Sequence, residues 1–95
     1  MTIQDQLAKY VITLDDAAAE SKKLGDRPLY AKYRAHAGLM LALAVQDATQ
    51  DRLGEEIDAH EGLWTHSWLT DDAYKKPADA WQSIADAWMD IRSNR

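Results

Sequence analysis

The chain has 95 residues, of which 46% are hydrophobic and 28% charged, a composition typical of one ordinary globular domain rather than a disordered segment. Sixteen acidic residues against eleven basic ones give a net charge of −5, which argues against general affinity for nucleic acid or anionic membranes. The absence of cysteine excludes disulfides, thiolate metal sites and cysteine nucleophiles. The longest apolar run, residues 37–45, is too short to cross a bilayer, and the first residues do not resemble an export signal, so we expect a cytoplasmic protein.

The first part of the chain predicts two helices joined by a tight turn. Apolar or small residues recur at alternating spacings of four and three from Ile3 to Leu24, the pattern of an amphipathic helix. Thr2 is a suitable cap for its start, and Gly25 stands where a helix commonly ends in the left-handed conformation. Pro28 suits the first turn of a second helix, because it has no N–H group to leave unpaired there. We therefore predict that these two helices form a long antiparallel hairpin.

The second helix is predicted to run from about Pro28 to Leu53. Its residues 37–45 are apolar on every face, which places this segment at the centre of a helical bundle. Gly38 lacks a side chain, and we expect it to mark the close approach of a neighbouring helix.

Two further helices complete the predicted fold. The helical spacing continues or resumes after Gly54 as far as about Gly62, and residues 64–70 predict a bend. Pro77 opens a last helix with its own apolar stripe. No segment alternates polar and apolar residues for long enough to predict a strand. The sequence thus predicts an all-α fold, a single helical domain over residues 1–95 built as a small bundle of three to four helices.

The predicted core follows the apolar stripes of these helices. Its members are Leu7, Tyr10, Leu14, Met40, Leu41, Leu43, Ile57, Trp81, Ile84 and Trp88. Deleting a large side chain from such a core is expected to destabilise the fold strongly.

The polar residues give little support to catalysis. His36, His60 and His66 could ligate a metal only if the fold brought them together, since His60 and His66 are not spaced for one helix face. Carboxylates also recur along two predicted helices, and facing stripes could hold Mg²⁺ for phosphoryl chemistry. These stripes are Asp47, Asp51, Glu55 and Asp58 on one helix and Asp79, Asp86 and Asp90 on the other. Phosphate loops, dinucleotide-binding glycine patterns and nucleophile elbows do not occur, so we predict no catalytic residue, metal site or cofactor.

Residues 46–72 form an acidic belt, with eight acidic residues and one basic residue. A negative surface can steer association with a basic protein partner. Trp64 and Trp68 flank a polar segment within this belt, and tryptophan is enriched at the energetic centres of protein interfaces. The alternative for both tryptophans is packing in an aromatic cluster under the bend. The predicted partner-binding residues are Asp47, Asp51, Glu55, Asp58, Trp64 and Trp68.

Basic residues cluster around the predicted turn between the first two helices. Lys22 and Lys23 would end the first helix, where cations are favourable. The other bases lie at the start of the second helix, where free N–H groups attract anions. This pattern predicts an alternative site for a small, nucleotide-like anion, although a solvated turn explains the same charges. Its residues are Lys23, Arg27, Tyr30, Lys32 and Arg34.

We therefore expect a non-enzymatic interaction module that binds a protein partner, possible partners being a basic protein or a nucleoprotein. Its role would be that of an inhibitor, an adaptor, or a protein of the immunity or counter-defence type. Binding of an anion at the turn is the second hypothesis, and a Mg²⁺-dependent phosphohydrolase is the third; direct binding of nucleic acid or membrane is not expected. We also expect a homodimer, because the second helix offers more apolar surface than one short chain can cover. The predicted dimer interface is the apolar stripe of the first helix, around Leu7, Tyr10, Val11 and Leu14. The alternative is that this stripe packs on the second helix of the same chain.

Overall fold

Helices make up almost all of the fold. The structure, a computed structural model, describes residues 2–66, 69 and 72–94. In these residues the α-helices are α1 (Ile3–Glu20), α2 (Arg27–Gln46), α3 (Asp51–Thr65) and α4 (Lys75–Ser93), with short 3₁₀ turns at Leu24–Asp26 and Asp72–Tyr74. The predicted all-α bundle is confirmed. Within the described part of the chain, no helix is long and apolar enough to span a membrane.

Successive helices run in opposite directions. The Gln4 side chain donates to the Ala44 carbonyl, and Arg34 pairs with Asp15, so α1 and α2 form the predicted antiparallel hairpin. Pairs in contact between the later helices are His36 with Glu56, Tyr33 with Leu63, Glu61 with Trp81 and Gly54 with Trp88. The result is an up-down-up-down bundle in which α1 packs between α2 and α4.

The first helix ends earlier than predicted. It stops at Glu20, and Ser21 takes an extended conformation, with its hydroxyl accepting from the Lys23 N–H and donating to the Lys23 carbonyl. This local hydrogen bonding competes with the helix and terminates it. Gly25 lies in a 3₁₀ turn, and none of the four glycines, all of which are described, has a positive φ, so the predicted left-handed end is wrong. Lys23 therefore follows α1, and Leu24 is exposed.

The predicted single helix over residues 28–53 is wrong, because residues 47–50 interrupt it. The Asp47 carboxylate accepts hydrogen bonds from the backbone N–H and the hydroxyl of Thr49, at 2.9 and 2.7 Å. The Gln50 side chain donates to a carbonyl in the last turn of α2, at 2.8 Å. These polar side chains satisfy the backbone groups that a helix end leaves unpaired, and so stabilise a break.

Gly54 does not interrupt helix α3; it allows a side chain of another helix to pack closely against it. Helix α3 continues through Gly54, which is one of the two predicted alternatives, and it ends at Thr65, beyond the predicted end near Gly62. A Cβ atom at Gly54 would lie 2.6 Å from Cζ2 of Trp88. The missing side chain lets the indole of α4 contact the backbone of α3.

Helix α2 lies at a corner of the bundle, not at its centre. Leu39 is 38% exposed and Val45 68% exposed, so the predicted burial of residues 37–45 on every face is wrong. Among the described residues, no atom lies within 4 Å of a Cβ built on Gly38, so this chain supplies no closely approaching helix there. A glycine inside a helix costs about 1 kcal/mol relative to alanine. The packing within one chain gives no compensation for that cost.

The core agrees closely with the predicted set. Nine of the ten predicted residues are buried, and the tenth, Leu41, is half-buried and packs against the others. Leu7, Tyr10 and Leu14 have no exposed surface, because the stripe of α1 packs on α2 and α4. A dimer interface centred on these three residues is therefore wrong, while self-association itself stays a prediction. Val11 is half-buried against the core.

Candidate functional site

The acidic residues predicted on α3 line a pocket between α3 and α4. Asp51, Glu55 and Asp58 follow one another at helical spacing and are exposed. With Gly54, Trp88 and Arg92 they surround a pocket of about 190 Å³. The sequence therefore indicated three of the residues that form this pocket.

Trp88 gives the pocket an aromatic floor. Its side chain is almost fully buried against Gly54, so only its edge reaches the pocket. Three carboxylates and one guanidinium, that of Arg92, stand around it, so the lining is net negative. Carboxylates bind a lysine ammonium or an arginine guanidinium, and the edge of the indole offers an apolar surface to the methylene stem of such a side chain.

The other predicted partner-binding residues lie elsewhere. Asp47 belongs to the turn between α2 and α3, where its carboxylate binds Thr49. Trp64 is half-buried, packs edge-to-face on Tyr33 and donates its indole N–H to the Tyr10 hydroxyl at 2.8 Å. This placement matches the packing alternative for Trp64. Trp68 lies outside the described residues.

The two carboxylate stripes do not face each other. Asp86 and Asp90 line a separate groove of about 560 Å³ against the start of α1, whereas the α3 stripe faces Trp88 and Arg92. Across residues 2–66, 69 and 72–94, no three histidine or carboxylate side chains form a group able to hold a metal ion. The arrangement proposed for Mg²⁺ chemistry is thus absent from this part of the chain.

The basic turn differs from the anion site that the sequence indicated. Arg34 forms an ion pair with Asp15, at 2.9 Å. Tyr30 and Tyr33 are buried in the core, so neither ring is available to stack on a ligand. Asp26, just before α2, is buried and places a carboxylate near the helix N-terminus, where an anion would bind. All four bases of the predicted site are exposed: Lys23, Arg27, Lys32 and Arg34.

A buried polar network, which the sequence analysis missed, links α1, α2 and α3. His60 has no exposed surface; its Nδ1 lies 2.8 Å from Nδ1 of His36, and its Nε2 lies 2.6 Å from the Tyr10 hydroxyl. The Nε2 atom of His36 in turn lies 2.5 Å from a carboxylate oxygen of Glu56. At the other end, Trp64 donates to Tyr10. His66 is exposed at the end of α3, so two of the three histidines converge.

One arrangement of protons satisfies every member of this network. The Trp64 indole can only donate, so the Tyr10 oxygen accepts from it and directs its own hydrogen to Nε2 of His60. His60 then carries its proton on Nδ1 and donates to Nδ1 of His36, which donates from Nε2 to Glu56. We assign these tautomers from the hydrogen-bonding pattern.

Burial keeps His60 and Tyr10, in the middle of the network, uncharged. It lowers the pKa of His60 to about 3, with a smaller contribution from the neighbouring His36. Burial also raises the pKa of Tyr10, against the opposing effect of the hydrogen bond from Trp64. The rings of Tyr33 and Trp81 pack against His60 and exclude water. An isolated charge in such a site is strongly unfavourable.

The network stabilises one arrangement of the helices. Both ring nitrogens of His36 and His60 are used inside the protein, so neither ring presents a nitrogen to a substrate or metal. A spacing signal for His60 existed, since it shares a stripe with Leu53, Ile57 and Trp64. Its partner comes from another helix, which spacing along the chain does not reveal.

Comparison of the chain with protein-family models, curated proteins and solved structures found no match.

Proposed function

We propose that this protein is a non-enzymatic interaction module whose α3–α4 face binds a basic protein partner. In this proposal a lysine or arginine side chain of the partner enters the pocket formed by Asp51, Glu55, Asp58 and Trp88. The protein acts by occupying its partner's surface, as an inhibitor or adaptor does. No chemical step is required.

The observation that supports this proposal is the convergence of three carboxylates and one buried indole on a single pocket. The carboxylates supply charge-assisted hydrogen bonds to a cationic head group, and the edge of the indole supplies an apolar floor for the methylene stem of that side chain. Because Gly54 and Trp88 already pack together, the floor of the pocket is preformed. Preformed sites lose less conformational entropy on binding.

The charge around the pocket also favours a basic partner. Residues 46–72 carry a strong excess of acidic residues, and the exposed carboxylates of α3 belong to this segment. A negative surface accelerates encounter with a positive partner, and the effect weakens as salt is added. Rim charges of this kind chiefly alter the association rate, whereas a residue seated in the pocket alters the dissociation rate.

The test uses a fluorescently labelled tetra-arginine peptide with blocked ends, and its binding is followed by anisotropy at low and at physiological salt. We expect binding by the native chain and a loss of affinity of at least about tenfold in the triple variant Asp51→Asn, Glu55→Gln, Asp58→Asn. The matched control, Asp79→Asn, Asp86→Asn, Asp90→Asn, removes the same charge from exposed positions of α4. Equal losses in the two triple variants would show that net charge alone drives binding and would overturn the pocket.

A further inference from the structure

His60 lies where the four helices meet. Its ring belongs to α3 and packs against four rings of the other helices: Tyr10 of α1, Tyr33 and His36 of α2, and Trp81 of α4. The ring has no exposed surface, and both of its nitrogens are used in hydrogen bonds inside the protein. A proton from solvent can therefore reach His60 only if one of the helices moves away.

The packing of the helices indicates which one can move. Helix α1 packs along both α2 and α4, and its stripe of Leu7, Tyr10 and Leu14 is completely buried there. Helix α3 packs mainly on α2, and its backbone comes near that of α4 at few positions. Displacing α1, α2 or α4 would break the packing around α1. Displacing α3 would leave α1, α2 and α4 packed together.

Hydrogen bonds provide much of what holds α3 to the other helices. Leu53 and Ile57 are its only large apolar side chains that are buried. Hydrogen bonds that involve side chains join it to all three other helices: Glu56 and His60 to His36, His60 and Trp64 to Tyr10, Leu63 to Tyr33, and Glu61 to Trp81. The bonds of His60 lie at the centre of this set, so the position of α3 depends on the protonation of this ring.

A proton added to His60 would disrupt these bonds. Nε2 of His60 accepts from the Tyr10 hydroxyl, and once protonated it becomes a donor that meets the hydrogen of that hydroxyl. The titratable groups around His60 are Tyr10 from α1, Tyr33 and His36 from α2, and Glu56 and Glu61 from α3 itself, while α4 contributes the uncharged Trp81. Both carboxylates are bound elsewhere, and among the described residues none forms an ion pair with His60. The closed bundle therefore opposes a charge on this ring.

We propose that α3 is an acid-sensitive helix, which separates from the packed unit of α1, α2 and α4 when His60 takes up a proton. In the closed form α3 is seated as described above, and in the open form it has left and His60 is exposed to water. Because only the open form binds the proton readily, acid shifts the equilibrium towards it. Opening would also move Asp51, Glu55 and Asp58 away from Trp88, so acid would release a cation bound in that pocket. This last consequence rests on the proposed function, whereas the opening itself does not.

The size of the shift follows from the two environments of His60. In the open form this ring has its ordinary pKa of 6.5, whereas burial in the closed form lowers the pKa to about 3. Below pH 6.5 the open form therefore carries more protons than the closed form. Through His60 alone, the ratio of open to closed molecules should rise by about 25-fold between pH 7 and pH 5.

Amide hydrogen exchange of the ¹⁵N-labelled protein, measured by NMR without ligand, tests this proposal. Each rate is corrected for the intrinsic exchange rate at that pH, and the opening constants of residues 55–62 in α3 are compared with those of residues 7–14 in α1. At pH 7 the α3 amides should open at least about tenfold more readily, because they need only the local opening. Urea well below the unfolding transition should increase the opening of α1 far more than that of α3, since global unfolding exposes more surface.

Two histidine variants test the part played by His60. The rise in α3 opening between pH 7 and pH 5 should shrink by about 25-fold in His60→Gln, and the exposed control His66→Gln should keep the full rise. A full rise in His60→Gln would overturn the proposal.

The native chain alone also decides the matter, whether or not His60→Gln folds. The proposal is overturned if the α3 and α1 amides share one opening constant and one urea dependence, since α3 would then leave only when the whole chain unfolds. It is equally overturned if the α3 opening constant of the native chain does not rise between pH 7 and pH 5. Because no peptide is present, these results are independent of whether the pocket between α3 and α4 binds a cation.

Discussion

Acidification should destabilise the fold through His60 well before the carboxylates are protonated. In the unfolded chain His60 takes up a proton near its ordinary pKa of 6.5, whereas in the folded protein burial lowers that pKa to about 3. Below pH 6.5 the unfolded state therefore binds more protons, and the contribution of His60 to stability is lost as the pH falls from 6.5 towards 3. The loss is about 2 kcal/mol at pH 5 and about 3 kcal/mol at pH 4. This is a large part of the roughly 5–15 kcal/mol that stabilises a typical domain.

Urea denaturation at pH 7, 6 and 5, followed by circular dichroism, measures this loss. His60→Gln removes the titrating group. Between pH 7 and pH 5 the free energy of unfolding of the variant should therefore fall less than that of the native chain, and the difference should be about 2 kcal/mol. His66→Gln is the matched control, because His66 is exposed, and it should keep the full pH dependence. The reasoning is refuted if His60→Gln retains the native pH dependence, or if the imidazole NMR signals of His60 titrate near 6.5.

Four further substitutions test the packing. Gly54→Ala should lower the free energy of unfolding by about 1–3 kcal/mol in urea denaturation, because the new Cβ would lie 2.6 Å from Cζ2 of Trp88. Gly38→Ala is the control, since its Cβ meets open space and the substitution should cost nothing. Similar results for both substitutions would contradict this packing. Trp88→Ala should cost about 3–5 kcal/mol, and a loss below about 1 kcal/mol would mean that this indole is not in the core. Tyr10→Phe leaves Nε2 of His60 without its partner and should cost about 1–3 kcal/mol, so unchanged stability would argue against the network.

Local spacing predicted the helices and the core well, because each stripe needs only one buried face. The stripes of α1 and α4, with Leu7, Leu14, Ile84 and Trp88, are buried as expected. The spacing wrongly predicted that the centre of α2 is buried on every face, because an apolar run does not show how many neighbouring helices a short chain can pack around it. It also failed at residues 47–50, where side-chain hydrogen bonds end a helix that the apolar pattern continues.

The candidate site was predictable only in part. Asp51, Glu55 and Asp58 share one helix face, and that face follows from the sequence. The pocket also needs Trp88 from α4, whose position depends on how the helices pack. The pairing of His36 with His60 depends on tertiary packing in the same way.

An NMR titration of ¹⁵N-labelled protein with the blocked tetra-arginine peptide tests the central proposal most directly, because it shows where a cationic ligand binds. The account predicts that the largest shifts fall on the indole N–H of Trp88, identified with Trp88→Phe, and on the amides of residues 51–58 and Arg92. Shifts that are largest along Asp79, Asp86 and Asp90, or that spread evenly over all exposed carboxylates without moving the Trp88 signal, would contradict the acidic pocket as the binding site.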